Sequence, residues 1–547
     1  MSNEGKSSNF WSRLLAVVVL TLVGTVILIL RDADPLLNLV VYTEDGQWIG
    51  FALTRGWVDT FLHAKPSYFV WGNLLLLWAA AGASSLSCGT PLSCLPFWIA
   101  ISSYLFFAAC AVFVWTATRE ILPRFGRLAL FAFLLLVPLG DSSNEIIGRL
   151  SNVGFVLVPV CVSGLFVLES FELSRLQRWS VELMLVLCAA TNPVCIFLIG
   201  VHATWRAIAM RGTPGLFFRI HGRSLSGLAG LLVLALIRRQ GAPIVTGRLI
   251  PAHLVEVAVA RSLLYPFVFP FYVRLSDGWT VGLLVIALAS GVILYRGLDC
   301  SRARRWVLYC CFGFVVYLLA TLGMRPSLTE QLGAYRTTFP DRYFMGLNAL
   351  VGMVVIPLAF QRLIDKSRLV VAVGWAVRGG LVLLAITQVP FLFELDRPRF
   401  VVRAGPSYAE QLCRTADLQD HFLLGTSPDV IDVPIYSAGW SMRVPRPLLQ
   451  ATASRSNCTQ YRRFLSVTDE NWDHGIARRW SGFCVPNEHP YVTRFVAGRS
   501  VRLTDGDYRR ITAVESNGEY LNVYLDGPPI DARRVGEPTT FDVEPQR

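Results

Sequence analysis

Long apolar runs separated by short polar breaks recur from residue 1 to about residue 393, and then stop. A helix that crosses a bilayer needs about 20 consecutive, mainly apolar residues, within a range of roughly 17–25. Runs of this kind fall at 14–30, 97–116, 124–140, 153–169, 181–205, 224–238, 279–295, 306–322, 344–360 and 369–391, and 68–83 is a further candidate. The pattern predicts a polytopic α-helical membrane protein, with about 10–11 spans over residues 1–393. The run at 14–30 is long for a signal sequence and no small-residue cleavage site follows it, so it reads as the first span. Residues 394–547 have the composition of a small water-soluble domain of α+β type. There, 407–414 reads as a short helix, and 491–497, 509–514 and 520–525 read as strands. Asp505-Gly506 and Asn517-Gly518 supply turns.

Arginine placement orients the spans, because basic loops stay on the cytoplasmic side. The basic loops are 117–127, 206–223, 296–305 and 361–368, whereas the first loop, 31–67, is acid-rich. Full crossing by 68–83 would push the basic loop 117–127 outside, so this run is expected to be a juxtamembrane or re-entrant piece. The run 181–205 contains Thr191-Asn192-Pro193, which breaks a helix and predicts two shorter ones. With both choices the N-terminus lies inside and the C-terminal domain is extracytoplasmic. The predicted location is the cell's inner (plasma) membrane, crossed several times.

Composition sharpens this picture. Of 547 residues, 53% are hydrophobic and 16% charged, against about 25% charged in soluble domains. The net charge is +12. Residues 395–547 carry 19 Arg and 19 acidic residues, so the basic excess belongs to the membrane part, where it orients spans and does not point to nucleic acid. Only Lys6, Lys65 and Lys366 are lysines. A GC-rich genome accounts for that bias most simply, and bidentate phosphate or carboxylate binding is the functional alternative. The 12 cysteines show no metal spacing. Cys88 with Cys94, and two of Cys413, Cys458 and Cys484, are candidate disulfides if their side is oxidising. The seven histidines look scattered, with no ligand set.

Chemistry-bearing residues gather in the loops expected outside. After the first span the chain reads Glu44-Asp45-Gly46-Gln47-Trp48. A like-charged neighbour and partial burial both raise a carboxylate pKa, which is how a general base or metal ligand is obtained. A solvated acidic turn is the equally weighted alternative. Gly46 is expected to free the backbone and Trp48 to anchor the loop at the interface. A second acidic loop holds Asp141 and Glu145, followed by Arg149 and Asn152. A third, 323–343, holds Arg325, Glu330, Arg336, Asp341, Arg342 and Tyr343. The loop 239–278 adds Arg261, within a stretch (254–264) expected to lie along the membrane surface as an amphipathic helix. Arginines at a membrane surface suit a lipid phosphate, although each one alone is more often an interfacial anchor or an ion-pair partner. Tyr436, Trp440, Trp472 and Trp480 are candidate sugar-stacking residues, with a place in the domain core as the favoured alternative.

The acidic dipeptide after the first span, the second acidic loop after a hairpin of spans, Arg342-Tyr343-Phe344 at a late span and the soluble C-terminal domain together resemble the GT-C superfamily of polyprenyl-phosphate-sugar glycosyltransferases. The resemblance covers roughly residues 10–391 and rests on layout and short motifs. It implies transfer of a sugar from a lipid-phosphate donor to a lipid-linked glycan or other acceptor on the outer face, with inversion at the anomeric carbon. It implies Asp45 as catalytic residue with Glu44 beside it. Asp141 and Glu145 become the second acidic pair, and Arg336, Arg342, Tyr343 and Arg261 the donor-phosphate group. No cofactor is required by these residues, although paired carboxylates are compatible with a divalent cation. Three rivals remain: a polysaccharide polymerase or ligase, a lipid-linked glycan transporter, and a membrane-anchored binding or assembly protein. No Walker, GxGxxG, HExxH or GxSxG motif is present.

Overall fold

The protein is described from a computed structural model. It covers residues 4–139, 143–238, 247–269, 271–330, 341–362 and 367–393. Of the C-terminal segment it covers 408–409, 411–413, 416, 429–436, 440–456, 465–466, 482–486, 496–503, 508–516, 520–525, 538–539 and 541–543. The chain sorts into two compact units. The first comprises Met1–Leu37, Phe61–Leu76 and Ile99–Val401. The second comprises Asn38–Thr60, Leu77–Trp98 and Val402–Arg547.

The first unit is helical and built for lipid. Among the described residues, seven stretches are long and apolar enough to cross a membrane: Leu14–Arg31, Leu95–Ala117, Val153–Ser170, Ile220–Ile237, Asp277–Arg296, Ser301–Met324 and Arg368–Leu392. The 10–11 expected spans are reached only if shorter helices cross as well, namely Arg124–Leu135, Arg175–Ala189, Pro193–Ala209 and Met345–Ala359. The break at Thr191-Asn192-Pro193 is as the sequence predicts. Asn192 caps the new helix by accepting from Val194 N (3.0 Å), and Pro193 occupies its first turn, where no backbone donor is needed. Trp71–Cys88, which takes in residues 71–83 of the 68–83 run, is not among the seven stretches, and from Leu77 it groups with the second unit.

Apolar side chains such as Val281, Val285, Ile286, Trp375, Leu383 and Ile386 face outward. Such a surface would be a liability in water and is at home in lipid. Val153–Ser170 is the most enclosed of the seven, with 78% of its residues buried, against 11% for Arg368–Leu392. Close helix packing uses small residues, as lipid-embedded bundles do: a Cβ on Gly313 would stand 2.6 Å from Val162.

Polar groups mark two ends of this bundle. At one end Arg31 donates to the carbonyls of Leu135 and Val137 (both 2.7 Å), Tyr104 donates to Asp32 O (2.7 Å), and Asn73 donates to Leu150 O (2.5 Å). At the other lie the basic loops, with Arg302 paired to Glu120 and Gln361 donating to Leu294 O (2.9 Å). Arg378 donates to the carbonyls of Ala359 (2.6 Å) and Gln361 (2.5 Å). It therefore caps the C-terminal end of Met345–Ala359, which explains a charge set within an apolar run.

The second unit holds the strands. The hairpin Val430–Ile435/Trp440–Pro445 is antiparallel and alternates, with Ile431, Val433, Ile435, Met442 and Val444 inward. A five-stranded antiparallel sheet runs in the order Gly482–Pro486, Tyr520–Leu525, Tyr508–Ser516, Ser500–Leu503, Phe541–Val543. The strands expected at 509–514 and 520–525 are present. Residues 408–409 and 411–413 are helical, within the expected 407–414 helix. Of the strand expected at 491–497, residues 491–495 lie outside the described residues, as do both predicted turns. Cys88 and Cys94 form a disulfide, and Cys413 is disulfide-bonded as well.

Candidate functional site

In the second unit the acidic dipeptide opens a helix, Thr43–Arg55. The helix lies on the hairpin: Thr43 N donates to Tyr436 O (2.5 Å) and Tyr436 N donates to Val41 O (3.1 Å). Tyr42 and Tyr436 pair their rings at 5.5 Å. Glu44 is half-buried and accepts from Thr43 Oγ1 (2.7 Å), whereas Asp45 is fully buried in the first turn. A carboxylate there is favoured by the positive end of the helix dipole.

Two expectations are corrected here. Gly46 is helical and does not serve as a turn; its missing side chain leaves room for Ile435 and Val41. Trp48 is buried in this unit's core and is not an interface anchor. Of the candidate stacking residues, Tyr436 and Trp440 are half-buried, and Trp472 and Trp480 lie outside the described residues.

In the first unit the structure brings together Glu145, Arg342, Tyr343 and Arg325. Arg342 pairs with Glu145 and donates to Tyr343 Oη (3.4 Å). Its guanidinium also lies 5.1 Å from the Tyr343 ring centre, and that of Arg325 lies 4.5 Å from the same ring. The tyrosine is held by Tyr317 Oη, which donates to Tyr343 O (3.0 Å), and by Phe155, edge-on at 5.6 Å. Burial opposes the Arg342 charge, but Tyr343 and Glu145 outweigh it and raise the guanidinium pKa above its ordinary value. Phe155 also lines a narrow apolar seam with Phe107, Val160, Met345 and Ala349. At about 20 Å³ it is a gap between helices, not a finished pocket.

Arg261 is not on a membrane surface. The expected amphipathic helix is instead Pro251–Val255 followed by a π-helical stretch, Glu256–Leu264, a form that often marks functional sites. The Arg261 guanidinium is buried among aromatic rings, 3.5 Å from Tyr265, 5.5 Å from Phe344 and 5.7 Å from Tyr272. Asp141 and Arg336 lie outside the described residues. Arg325 belongs to the loop singled out in the sequence but not to its candidate site; its place at the C-terminal cap of Ser301–Met324, facing Arg342-Tyr343 across the loop, was the available signal.

The histidines are not all scattered. His202 and His221 meet Glu169 at the basic end of the first unit.

No protein-family model and no curated protein matches this chain. The crystal structure of ArnT from Cupriavidus metallidurans bound to undecaprenyl phosphate is similar over 94% of this chain and 98% of that one, with a TM-score of 0.41 and 11% identity.

Proposed function

We propose that the chain is a membrane glycosyltransferase that moves a sugar from a polyprenyl-phosphate donor to a lipid-linked glycan or other acceptor on the outer face of the membrane. The observation that carries the reading is the pair of guanidiniums, Arg325 and Arg342, on the ring of Tyr343, with Glu145 on one of them. A lipid phosphate can take over from that carboxylate and gains a bidentate partner in Arg342. Membrane lipid is on hand as the source of such a phosphate. In the proposed reaction Asp45, assisted by Glu44, takes the proton from the acceptor hydroxyl as its oxygen attacks the anomeric carbon. The phosphate leaves with its charge stabilised by arginine, and the centre inverts.

The orientation of this reading has its own support. All seven free cysteines among the described residues belong to the first unit, and the disulfide-bonded ones to the second. Disulfides persist on the oxidising side of a membrane, which supports the reading that the second unit lies outside. The basic loops support a cytoplasmic reading for their end of the bundle.

Arg342→Ala in lipid vesicles supplied with a polyprenyl-phosphate sugar tests the reading. Loss of about 10²-fold or more in transfer is expected, on the scale of losing one charge-stabilising donor, with partial retention in Arg342→Lys. Normal turnover by folded Arg342→Ala refutes the donor site.

A further inference from the structure

At the basic end of the helical unit, four helices aim polar side chains at one point. Glu169 ends Leu157–Ser170, His202 and Arg206 come from Pro193–Ala209, His221 from Pro214–Arg238 and Tyr309 from Ser301–Met324. Glu169 Oε1 lies 3.4 Å from His202 Nε2 and 3.2 Å from His221 Nε2. Tyr309 Oη donates to the other oxygen, Oε2, at 2.5 Å, and lies 3.1 Å from His202 Nε2. Both imidazoles are almost wholly buried, and the carboxylate is 8% exposed.

We infer that Glu169, His202 and His221 form a binding site for a divalent transition cation of the zinc class. Zinc bonds of about 2.0–2.1 Å in tetrahedral geometry set neighbouring ligand atoms about 3.3 Å apart, which is the spacing found between the carboxylate oxygen and each imidazole. Despite these short separations, Glu169 Oε1 and His221 Nε2 make no well-aligned hydrogen bond. Two imidazoles and one carboxylate favour zinc, cobalt or nickel over magnesium or calcium, which take oxygen ligands. A fourth position is left for water. Tyr309 is a positioning residue: its hydrogen bond to Oε2 turns Oε1 toward the imidazoles. The rival account is a metal-free ion pair between Glu169 and Arg206, whose Nε lies 2.7 Å from Oε1. That nitrogen is also without an aligned hydrogen bond, and its side chain is 26% exposed, so it can swing away.

The test uses the full chain in detergent, stripped with chelator and titrated with cobalt(II) chloride. The proposal expects one equivalent bound, with the intense visible absorption of tetrahedral cobalt, displaced by zinc. His202→Ala and His221→Ala should each weaken uptake at least tenfold, and Tyr309→Phe about 10–100-fold, as loss of a supporting hydrogen bond to a ligand does. Arg206→Gln should bind as well as the natural chain or better, because a competing cation has gone. Uptake that persists in the double histidine variant overturns the proposal, and so does a folded Arg206→Gln that takes up no cobalt. Where the alanine variants fail to fold, the natural chain decides alone: absent or octahedral-type absorption overturns the site.

Discussion

Gly50→Ala in the helix Thr43–Arg55 sets two effects of known sign against each other. On propensity alone, replacing a glycine inside a helix by alanine stabilises by about 0.8–1 kcal/mol. Packing opposes it. A Cβ at Gly50 would stand 2.7 Å from Arg443 N and 3.2 Å from Arg443 O. Both are backbone atoms of a strand fixed by its hairpin register, Asp432 opposite Arg443, so neither can step aside as a side-chain tip would. Overpacking of that kind costs about 1–3 kcal/mol, and the net result is a loss of about 1 kcal/mol. The helix must shift away from the hairpin, taking Glu44 and Asp45 with it and loosening the Thr43–Tyr436 backbone bond. Gly82→Ala is the control, since nothing lies within 4 Å of a Cβ there. Thermal unfolding of both variants of the full chain in detergent, followed by intrinsic fluorescence, reads the difference. Gly50→Ala should melt a few degrees lower than the natural chain, and Gly82→Ala at the same temperature or higher. A Gly50→Ala melting point equal to or above that of the control refutes the close helix–hairpin packing.

Three further outcomes are expected. Asp45→Asn keeps the shape of the side chain, so folded protein in detergent should survive while transfer falls about 10²–10⁴-fold, and Glu44→Gln should cost less; full transfer by Asp45→Asn, or loss of folded protein in both, leaves only a structural role for this pair. A membrane-impermeant thiol reagent should label a cysteine introduced at exposed Ser454 in intact cells, and labelling only after lysis reverses the orientation. In a double-mutant cycle on Glu145 and Arg342, the donor-site reading expects Glu145→Gln to retain more transfer than Arg342→Ala, because the carboxylate is displaced by phosphate; equal losses from both would make the ion pair itself the essential feature.

Local rules carried the reading of the elements a long way. The stop at Thr191-Asn192-Pro193 was legible because proline and an asparagine cap leave a helix few alternatives, and the Cys88–Cys94 pairing because its residues are near in sequence. The strands at Tyr508–Ser516 and Tyr520–Leu525 announced themselves by their branched and aromatic residues. Gly46 and Trp48 were misread because their partners are remote: nothing within ten residues says that Ile435 fills the space left by one, or that the other is buried. The surface helix at 254–264 failed for a related reason. An amphipathic pattern says that one face is polar, not that the polar face meets water, and here Arg261 turns its charge into aromatic rings.

The candidate groups differ in the same way. Arg342 and Tyr343 adjoin in sequence, and a polar loop beside a long apolar run is a visible place for phosphate chemistry; the chain alone could nominate them. Glu169 stands at the end of one apolar helix, and His202 and His221 sit singly within two others. Each looks like an isolated polar residue until the helices pack. The signal available was energetic, not spatial. An ionisable group drawn into the wall of a membrane bundle is costly unless it finds a partner there, so a carboxylate and two imidazoles on neighbouring apolar helices, all toward the side of the basic loops, had to be satisfied by something. Bundle parity puts them at one end; only the packing of four helices brings them within 3.4 Å.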